Sequence, residues 1–431
     1  MKRFLLYLLL LLSFKSLAQV PVTLNSAIDT ALKSNFDIRI ARINTKINTI
    51  NNSYGVAGGL PTLNGTGTAT NSWYNLKQKT SSGIDITKNG VNSNSYNAGL
   101  SAGIILFNGF RIIATKGQLS HLQQQSELEL NMQIQNTMAA IMVMYYDILR
   151  QQNYLGIIKS TLEVSAKKFD IIKERSAVGM ANEADILQAQ MDVNSDEQTF
   201  KGQEVIIEQD KTNLQQLMGV KQYVPITIHD SIVVDESIGR DSVISFLKNN
   251  PQYLSADQQI KINEQIVKEV KSLRYPSIRL NAGYNFIYSS SSAGFNLFTQ
   301  NYGPTVGATM QVPIFNGTIY KKQQVVASYN VENAKLQRES LLSILTADAI
   351  KAYQAYESSI QQMKSQKKSY ENAGRLVKIV VQRFSLNQAT ILDVKAAQES
   401  FESAGYMYIN LQYSAKAAEI ELKRLIFRLG L

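Results

Sequence analysis

Two stretches of this 431-residue chain, ILFNGFRII from Ile105 and PIFNGTIYK from Pro313, share a tripeptide between an alternating apolar run and a long helical pattern. Phe107-Asn108-Gly109 and Phe315-Asn316-Gly317 lie 208 positions apart, and the offset persists downstream. Arg175 falls on Arg383, Ala181 on Ala389, Asp185 on Asp393, and Ala189-Gln190 on Ala397-Gln398. Upstream, Pro61 in AGGLPTL matches Pro276 in SLRYPSI at an offset of 215, so a loop between proline and tripeptide differs in length. Chance could give any one match, but not one offset held from residue 107 to 190. The chain is a tandem duplication of about 210 residues, and one architecture must be built twice.

Each half reads as helix, strand, loop, strand, very long helix, turn, helix. In the first repeat (19–220), a helix covers 24–54, with Ile40, Ile43, Ile47 and Ile50 at 3-4-3 spacing. A β-hairpin follows at 62–107, then a long helix at 110–176 and another at 183–218. The second repeat (241–431) places its helix at 241–273, hairpin at 276–315, long helix at 318–385 and last helix at 391–427. Residues 221–240 join the repeats with a β-rich alternation that suggests a small sheet. A helix of about 67 residues is about 100 Å long, more than any globular core can cover. The two shorter helices of each half, end to end, match the long one, which suggests a tube.

Composition narrows the setting. Met1-Lys2-Arg3, an apolar run from Phe4 to Phe14, and Ser16-Leu17-Ala18 read as a signal peptide over 1–18. The run is too short for the ~20 residues a membrane helix needs. The chain has no cysteine, which excludes disulfides and thiolate metal sites. Its basic residues are spread along helices without interleaved stacking aromatics, which argues against nucleic acid as a partner. His121 and His229 stand apart from other ligand types, and neither a phosphate loop nor a nucleophile elbow is present. No cofactor, metal or enzymatic site is expected.

Four segments alternate with period two, which puts successive residues on opposite sheet faces. Leu63, Ala69 and Trp73 oppose Asn64, Thr66, Thr68 and Thr70; Tyr96, Ala98, Leu100, Ala102, Ile104 and Leu106 oppose Asn97, Gly99, Ser101 and Gly103. Ile278, Leu280, Ala282, Tyr284, Phe286 and Tyr288 oppose Arg279, Asn281, Gly283 and Asn285; Tyr302, Val306, Ala308, Met310 and Val312 oppose Gly303, Thr305, Gly307, Thr309 and Gln311. A soluble sheet with one face on a core would also alternate. Strand lengths suited to a tilted membrane span favour a barrel instead. So does an aromatic girdle of Trp73, Tyr96, Tyr288 and Tyr302 below polar loops at 75–94 and 289–301. Four strands cannot close a barrel, and an open edge in lipid leaves backbone groups unsatisfied, so the chain is expected to oligomerise.

These features resemble the outer-membrane efflux and secretion channels of the TolC family. The resemblance rests on the duplicated plan, on YPSIRLNAGY from Tyr275, on the Phe-Asn-Gly pair, and on the turn motif. That motif runs Arg175, Gly179, Asn182, Asp185, Leu187, Ala189-Gln190 in the first copy and Arg383, Asn387, Thr390, Asp393, Lys395, Ala397-Gln398 in the second. It implies a mixed fold, a transmembrane β-barrel of four strands per chain shared in a homotrimer and continuous with a long α-helical barrel. It further implies a passive exit duct in the outer membrane of a Gram-negative bacterium, with a periplasmic helical portion. The implied partners are outer-membrane lipid, a periplasmic adaptor and an inner-membrane RND, ABC or MFS pump. By resemblance, Asp185, Asp393 and Phe384 mark a periplasmic aperture, and Val178, Gly179, Met180, Asn182, Leu386, Asn387 and Thr390 mark adaptor-contact turns. Phe107, Gly109, Phe315 and Gly317 are read as joints between barrel and tunnel. Capping alone also explains the turn residues, because Gly179 and Asn387 suit a left-handed helix end and Asn182 and Thr390 suit N-caps. The rival reading is a non-conducting coiled-coil envelope scaffold or adaptor.

Overall fold

The order of elements repeats across the two halves. A computed structural model describes residues 20–430, so the expected signal peptide at 1–18 lies outside the described residues. The elements are β1 (Val20–Pro21), α1 (Leu24–Ser34), α2 (Phe36–Asn51), β2 (Thr62–Lys79), β3 (Asp85–Asn108), α3 (Arg111–Ala177) and α4 (Glu183–Met218). There follow β4 (Ile226–Thr227), α5 (Arg240–Phe246), α6 (Pro251–Ser272), β5 (Ser277–Ser291), β6 (Phe298–Gln311), α7 (Ile319–Ser385) and α8 (Ile391–Leu425). Both α3 and α7 are 67 residues long.

The chain divides into two units. One holds the described residues up to Ile43 with Leu128–Leu254 and from Glu339 onward; the other holds Asn44–Glu127 and Ser255–Arg338. The first unit is helical and has three apolar clusters. One gathers Ala27 and Ala31 of α1, Ile141, Tyr145 and Ile148 of α3, Leu214 of α4, and Ile226 and Ile228. A second gathers Val243 and Leu247 with Leu345, Ala349 and Tyr356 of α7 and Leu422 and Leu425 of α8. The two clusters belong mainly to different repeats, so the duplication extends to the packing. The third lies beside the helical turns, where Ile172 and Ala189 meet Val377, Val381, Phe384, Val394 and Ala397. The expected small sheet consists of β1 and β4, paired in parallel over two residues each.

The single helix expected over 24–54 is two helices. The chain breaks at Asn35, whose Oδ1 accepts the amides of Asp37 and Ile38 at 2.9 and 3.1 Å, while its Nδ2 donates to Leu217 O at 2.8 Å. The helix expected over 241–273 breaks in the same way at Asn250. There Oδ1 accepts the Gln252 amide, and Nδ2 donates to Leu425 O, both at 2.8 Å. A buried asparagine thus starts one helix and fastens it to the end of another, once per repeat.

The second unit holds the four long strands as one antiparallel sheet in the order β2-β3-β5-β6. Registers run from Thr62↔Gly103, with a shift between Tyr74 and Leu76, from Ser93↔Ser291, with a shift between Ile105 and Phe107, and without a shift from Ser277↔Gln311. Most of the loop expected at 75–94 is strand, since pairing continues through Leu76↔Lys88 to Lys79↔Asp85. Apolar residues are sparse there (Leu76, Ile84, Ile86 and Val91), so no sustained alternation marks it. Among the described residues, no helix is long and apolar enough to cross a membrane.

Candidate functional site: a two-faced sheet and paired helical turns

The strand register decides what the sheet presents. Leu100 stands opposite Gly65 on β2 and Tyr284 on β5, and Tyr284 stands opposite Pro304 on β6. Ala98 faces Phe286, which faces Tyr302; Ala102 faces Ala282, which faces Val306. The four apolar series therefore share one face. On the other, Ser101 faces Asn64 and Gly283, Gly283 faces Thr305, and Asn281 faces Gly307. A slip of one residue in any strand would mix the faces. Leu63, Leu100, Tyr284, Val306 and Met310 are exposed within the single chain, so the apolar face has no core beneath it. Strands β2 and β6 lie at the sheet's two edges, each paired on one side only.

Three of the four proposed girdle residues come together. Tyr96 and Tyr288 are direct cross-strand neighbours with ring centroids 5.9 Å apart, and Tyr302 stands opposite Phe286, two residues from Tyr288. Trp73 does not join them. It pairs with Asn92, four residues along β2 from Ala69, the partner of Tyr96. Sequence reasoning missed Phe298, whose ring lies 5.3 Å from that of Tyr288; it falls in a segment read as loop.

The joints are built on two consecutive left-handed residues. Gly109 and Phe110 have φ of 66° and 68°, and Gly317 and Thr318 have 65° and 67°. The chain reverses its hand for two residues between strand and helix in both copies. The surroundings differ: Phe107 is half-buried against Phe110 at 5.4 Å, whereas Phe315 is 84% exposed.

In the helical unit, α3 and α7 end in matching turns. Gly179 has φ 77° and Asn387 has φ 64°; Met180 N donates to Arg175 O, and Gln388 N to Arg383 O, both at 2.8 Å. Asn182 caps α4 by accepting the Asp185 amide at 2.8 Å, and Thr390 caps α8 by accepting the Asp393 amide at 3.1 Å. Asp185 and Asp393 close the boxes from the other side, each accepting the amide of its capping residue. Hydrogen bonds from the Thr390 amide and hydroxyl hold the Asp393 pKa below the ordinary carboxylate range. Val178, Met180 and Leu386 project as exposed apolar side chains.

Comparison with known proteins identifies this arrangement. The profile described as "Outer membrane efflux protein" matches residues 27–220 and 244–426. The chain belongs to the outer membrane efflux protein family. Outer membrane protein TolC of Vibrio cholerae is 22% identical over 298 residues. That match covers 65% of each protein, so it spans a little under two thirds of the relative's length. Among solved structures, the outer membrane protein VceC of Vibrio cholerae matches with TM-score 0.73 at 18% identity, over 94% of this chain and 95% of that one. The CmeC outer membrane channel of Campylobacter jejuni matches with TM-score 0.78 at 16% identity, over 94% and 85%. The open state of the MtrE outer membrane channel of Neisseria gonorrhoeae matches with TM-score 0.71 at 17% identity, over 94% and 88%. Family membership places this efflux-family protein in the outer membrane with a periplasmic helical portion.

Within this efflux-family chain, one expected aperture residue requires correction. Phe384 is 1% exposed and packs with Val381, Val394 and Ala397, so it is a core residue of the turn. The Arg175 guanidinium lies 4.4 Å from its ring centroid and donates to its carbonyl. Arg383, the repeat partner of Arg175, instead donates to Gln388 O within its own turn at 3.1 Å. The link from the first turn to the second thus uses one copy of a duplicated arginine. The spacing marked both arginines but could not show this division. Nearby, Lys168 is buried and paired with Asp192 at 2.5 Å. Burial works against the Asp192 carboxylate, but hydrogen bonds from Lys168 and Gln188 and the charges of Lys168 and Lys395 outweigh it and lower its pKa.

Proposed function

We propose that three copies of this chain close one twelve-stranded barrel in the outer membrane and serve as the exit duct of a tripartite efflux pump or type I secretion system. The observation that carries this reading is the register. It sorts four long strands into one apolar face and one polar face while leaving β2 and β6 unpaired on their outer edges. In lipid, each unsatisfied backbone group costs several kcal/mol, so edge must meet edge. The same-chain edges are separated by two strands, and copies of β2 and β6 from neighbouring chains supply the partners. The apolar face then meets hydrocarbon, and the Ser, Thr, Asn and Gly face lines water.

The helical turns are the docking end. Exposed Val178, Met180 and Leu386, beside Gly179, Asn182, Asn387 and Thr390, offer an apolar contact to a periplasmic adaptor. Asp185 and Asp393 supply the acidic groups of the aperture. Energy comes from an inner-membrane RND, ABC or MFS partner. A non-conducting scaffold would have no use for a sheet sorted in this way.

The test is native mass spectrometry of detergent-extracted protein together with single-channel recording in planar bilayers. Trimers that conduct support the duct; a monomer recovered in the periplasmic fraction, or trimers without conductance, would overturn it.

A further inference from the structure

Lys77, Lys79, Asp85 and Lys88 charge the far end of the β2–β3 hairpin, and in the rest of the sheet one position alone is charged. Across the paired strand segments 62–74, 93–108, 277–291 and 298–311, Arg279 is the only charged residue. It lies on the polar face, opposite Ile105 on β3 and Thr309 on β6, near the end where the strands join the helices. An ideal Cβ at Gly103 would stand 3.5 Å from Arg279 Nε, so the guanidinium stem runs over a glycine that leaves it room.

Arg279 shares an open cavity of about 620 Å³ with Arg111, the first residue of α3. The wall also carries Asn108, Asn281, Thr309 and Gln311, and no Asp or Glu lines it. Among the described residues, neither arginine has a carboxylate partner. Asn108 Oδ1 accepts the Ile112 amide at 3.4 Å, while its Nδ2 has no partner. The positive end of the 67-residue helix α3 adds to the field at Arg111. The Asn281 amide donates to Thr309 Oγ1 at 3.2 Å. Two guanidiniums without a carboxylate partner, the unpartnered Asn108 Nδ2 and no acid make a site for an oxyanion: arginine presents a planar fork of donors that matches carboxylate and phosphate oxygens.

We propose that Arg279 and Arg111 form an anion-recognising step on the polar face of the sheet, where phosphate or carboxylate groups of the passing cargo are held and favoured over cations. This rests on the duct reading, because it requires the polar face to line the conducting path. With one copy per chain, a trimer carries six guanidiniums at this level. Screening confines their field to about 10 Å at 0.1 M salt, so the effect belongs to ions that pass close to the wall.

The experiment is single-channel recording under a potassium chloride gradient near 0.1 M, on wild type, the double variant Arg111→Gln/Arg279→Gln, and Arg279→Lys. The anion-to-cation permeability ratio should fall roughly threefold in the double glutamine variant and persist in Arg279→Lys, which keeps the charge. Independently, inorganic pyrophosphate should reduce wild-type current more than chloride at equal ionic strength. A conducting glutamine variant with an unchanged ratio overturns this inference and leaves the duct intact. Wild-type trimers that do not conduct overturn the duct and the inference together. Should the glutamine variant fail to assemble, wild-type current indifferent to pyrophosphate overturns the inference, and block supports it.

Discussion

The two joints share a backbone conformation but differ in their surroundings, which yields a quantitative contrast between Gly109→Ala and Gly317→Ala. Both glycines have positive φ, 66° and 65°, so either alanine meets the left-handed penalty of about 1–2 kcal/mol. At Gly317 nothing lies within 4 Å of the added carbon, and the cost ends there. At Gly109 the carbon would stand 2.6 Å from Ser272 O and 2.8 Å from Tyr275 Cβ, one of them backbone at the end of α6. Relieving such an overlap in packed structure adds about 1–3 kcal/mol. Gly109→Ala should therefore lose about 2–5 kcal/mol and Gly317→Ala about 1–2 kcal/mol. Gly317→Asn should fall near wild type, because asparagine tolerates this region of backbone space. The chain has a single tryptophan, Trp73, in the same unit as both glycines. Its emission in detergent-solubilised protein, followed through guanidinium denaturation, reports that unit. Midpoints should order as wild type, Gly317→Asn, Gly317→Ala, Gly109→Ala. Equal midpoints for the two alanine variants, or a lower one for Gly317→Ala, would refute the clash with α6.

Three further outcomes follow from the helical unit. Asp192→Ala strands the buried Lys168 ammonium and should destabilise by about 3 kcal/mol, while Lys168→Met/Asp192→Ala should recover most of that; denaturation midpoints that fall further in the double variant would contradict it. Asp235 has its pKa lowered to about 2, first by the Ser237 hydroxyl and amide and then by Lys423. A depressed carboxylate contributes stability above its unfolded pKa near 4 and loses it as pH falls toward 2. Asp235→Asn should therefore flatten the stability profile between pH 4 and 2, with little change in its shape above pH 5; a parallel profile would exclude this carboxylate. Arg175→Ala should loosen the link to the second turn by about 1–2 kcal/mol and speed amide exchange at 386–390 as well as 178–182. Arg383→Ala should speed exchange at 386–390 alone, and identical patterns would show that the two arginines are equivalent.

Legibility of the fold followed contrast between environments. Strand faces can be read wherever one face is apolar and the other polar, and the register bears out the four series over their paired residues, while Leu106 falls at the shift between Ile105 and Phe107 and Val312 lies beyond β6. Pairing beyond Trp73 could not be read, because Leu76–Lys79 and Asp85–Lys88 alternate nothing that a solvated ribbon would separate. The break at Asn35 was hidden by isoleucines that keep helical spacing past it. Its copy carried the signal: Asn250 precedes Pro251, which disfavours helix at Asn250, and Asn250 lies 215 residues after Asn35, the offset that relates Pro276 to Pro61. Applying the repeat to the proline would have placed both breaks. At the turns, Asn182 and Thr390 are legible as N-caps from residue type, and with Asp185 and Asp393 they form two complete capping boxes. Phe384 was placed by analogy rather than by pattern, and its neighbours at Val377, Val381, Val394 and Ala397 explain its burial. The position of Gly219 offers a further case. Its φ of 70° ends α4, and at the 208 offset Phe427 ends α8 with φ 59°, a bulky residue in a conformation its counterpart meets with glycine.

Duplication sets the backbone plan, and divergence falls where the copies need different chemistry. Both halves keep the left-handed pair at the joint, the asparagine at the helix break and the capping box at the turn, because each is a backbone solution that either copy needs. The side chains around those solutions have separated. Arg175 reaches across to the second turn while Arg383 stays local. Gly109 is pressed by α6 while Gly317 stands free. Arg279 falls at the repeat position of Asn64, if the 215 offset of the proline is carried on, so one hairpin presents an amide where the other presents a guanidinium. A wall of Ser, Thr, Asn and Gly is permissive toward cargo, and the proposed preference among ions rests on two guanidiniums, Arg279 of the second hairpin and Arg111 at the joint after the first.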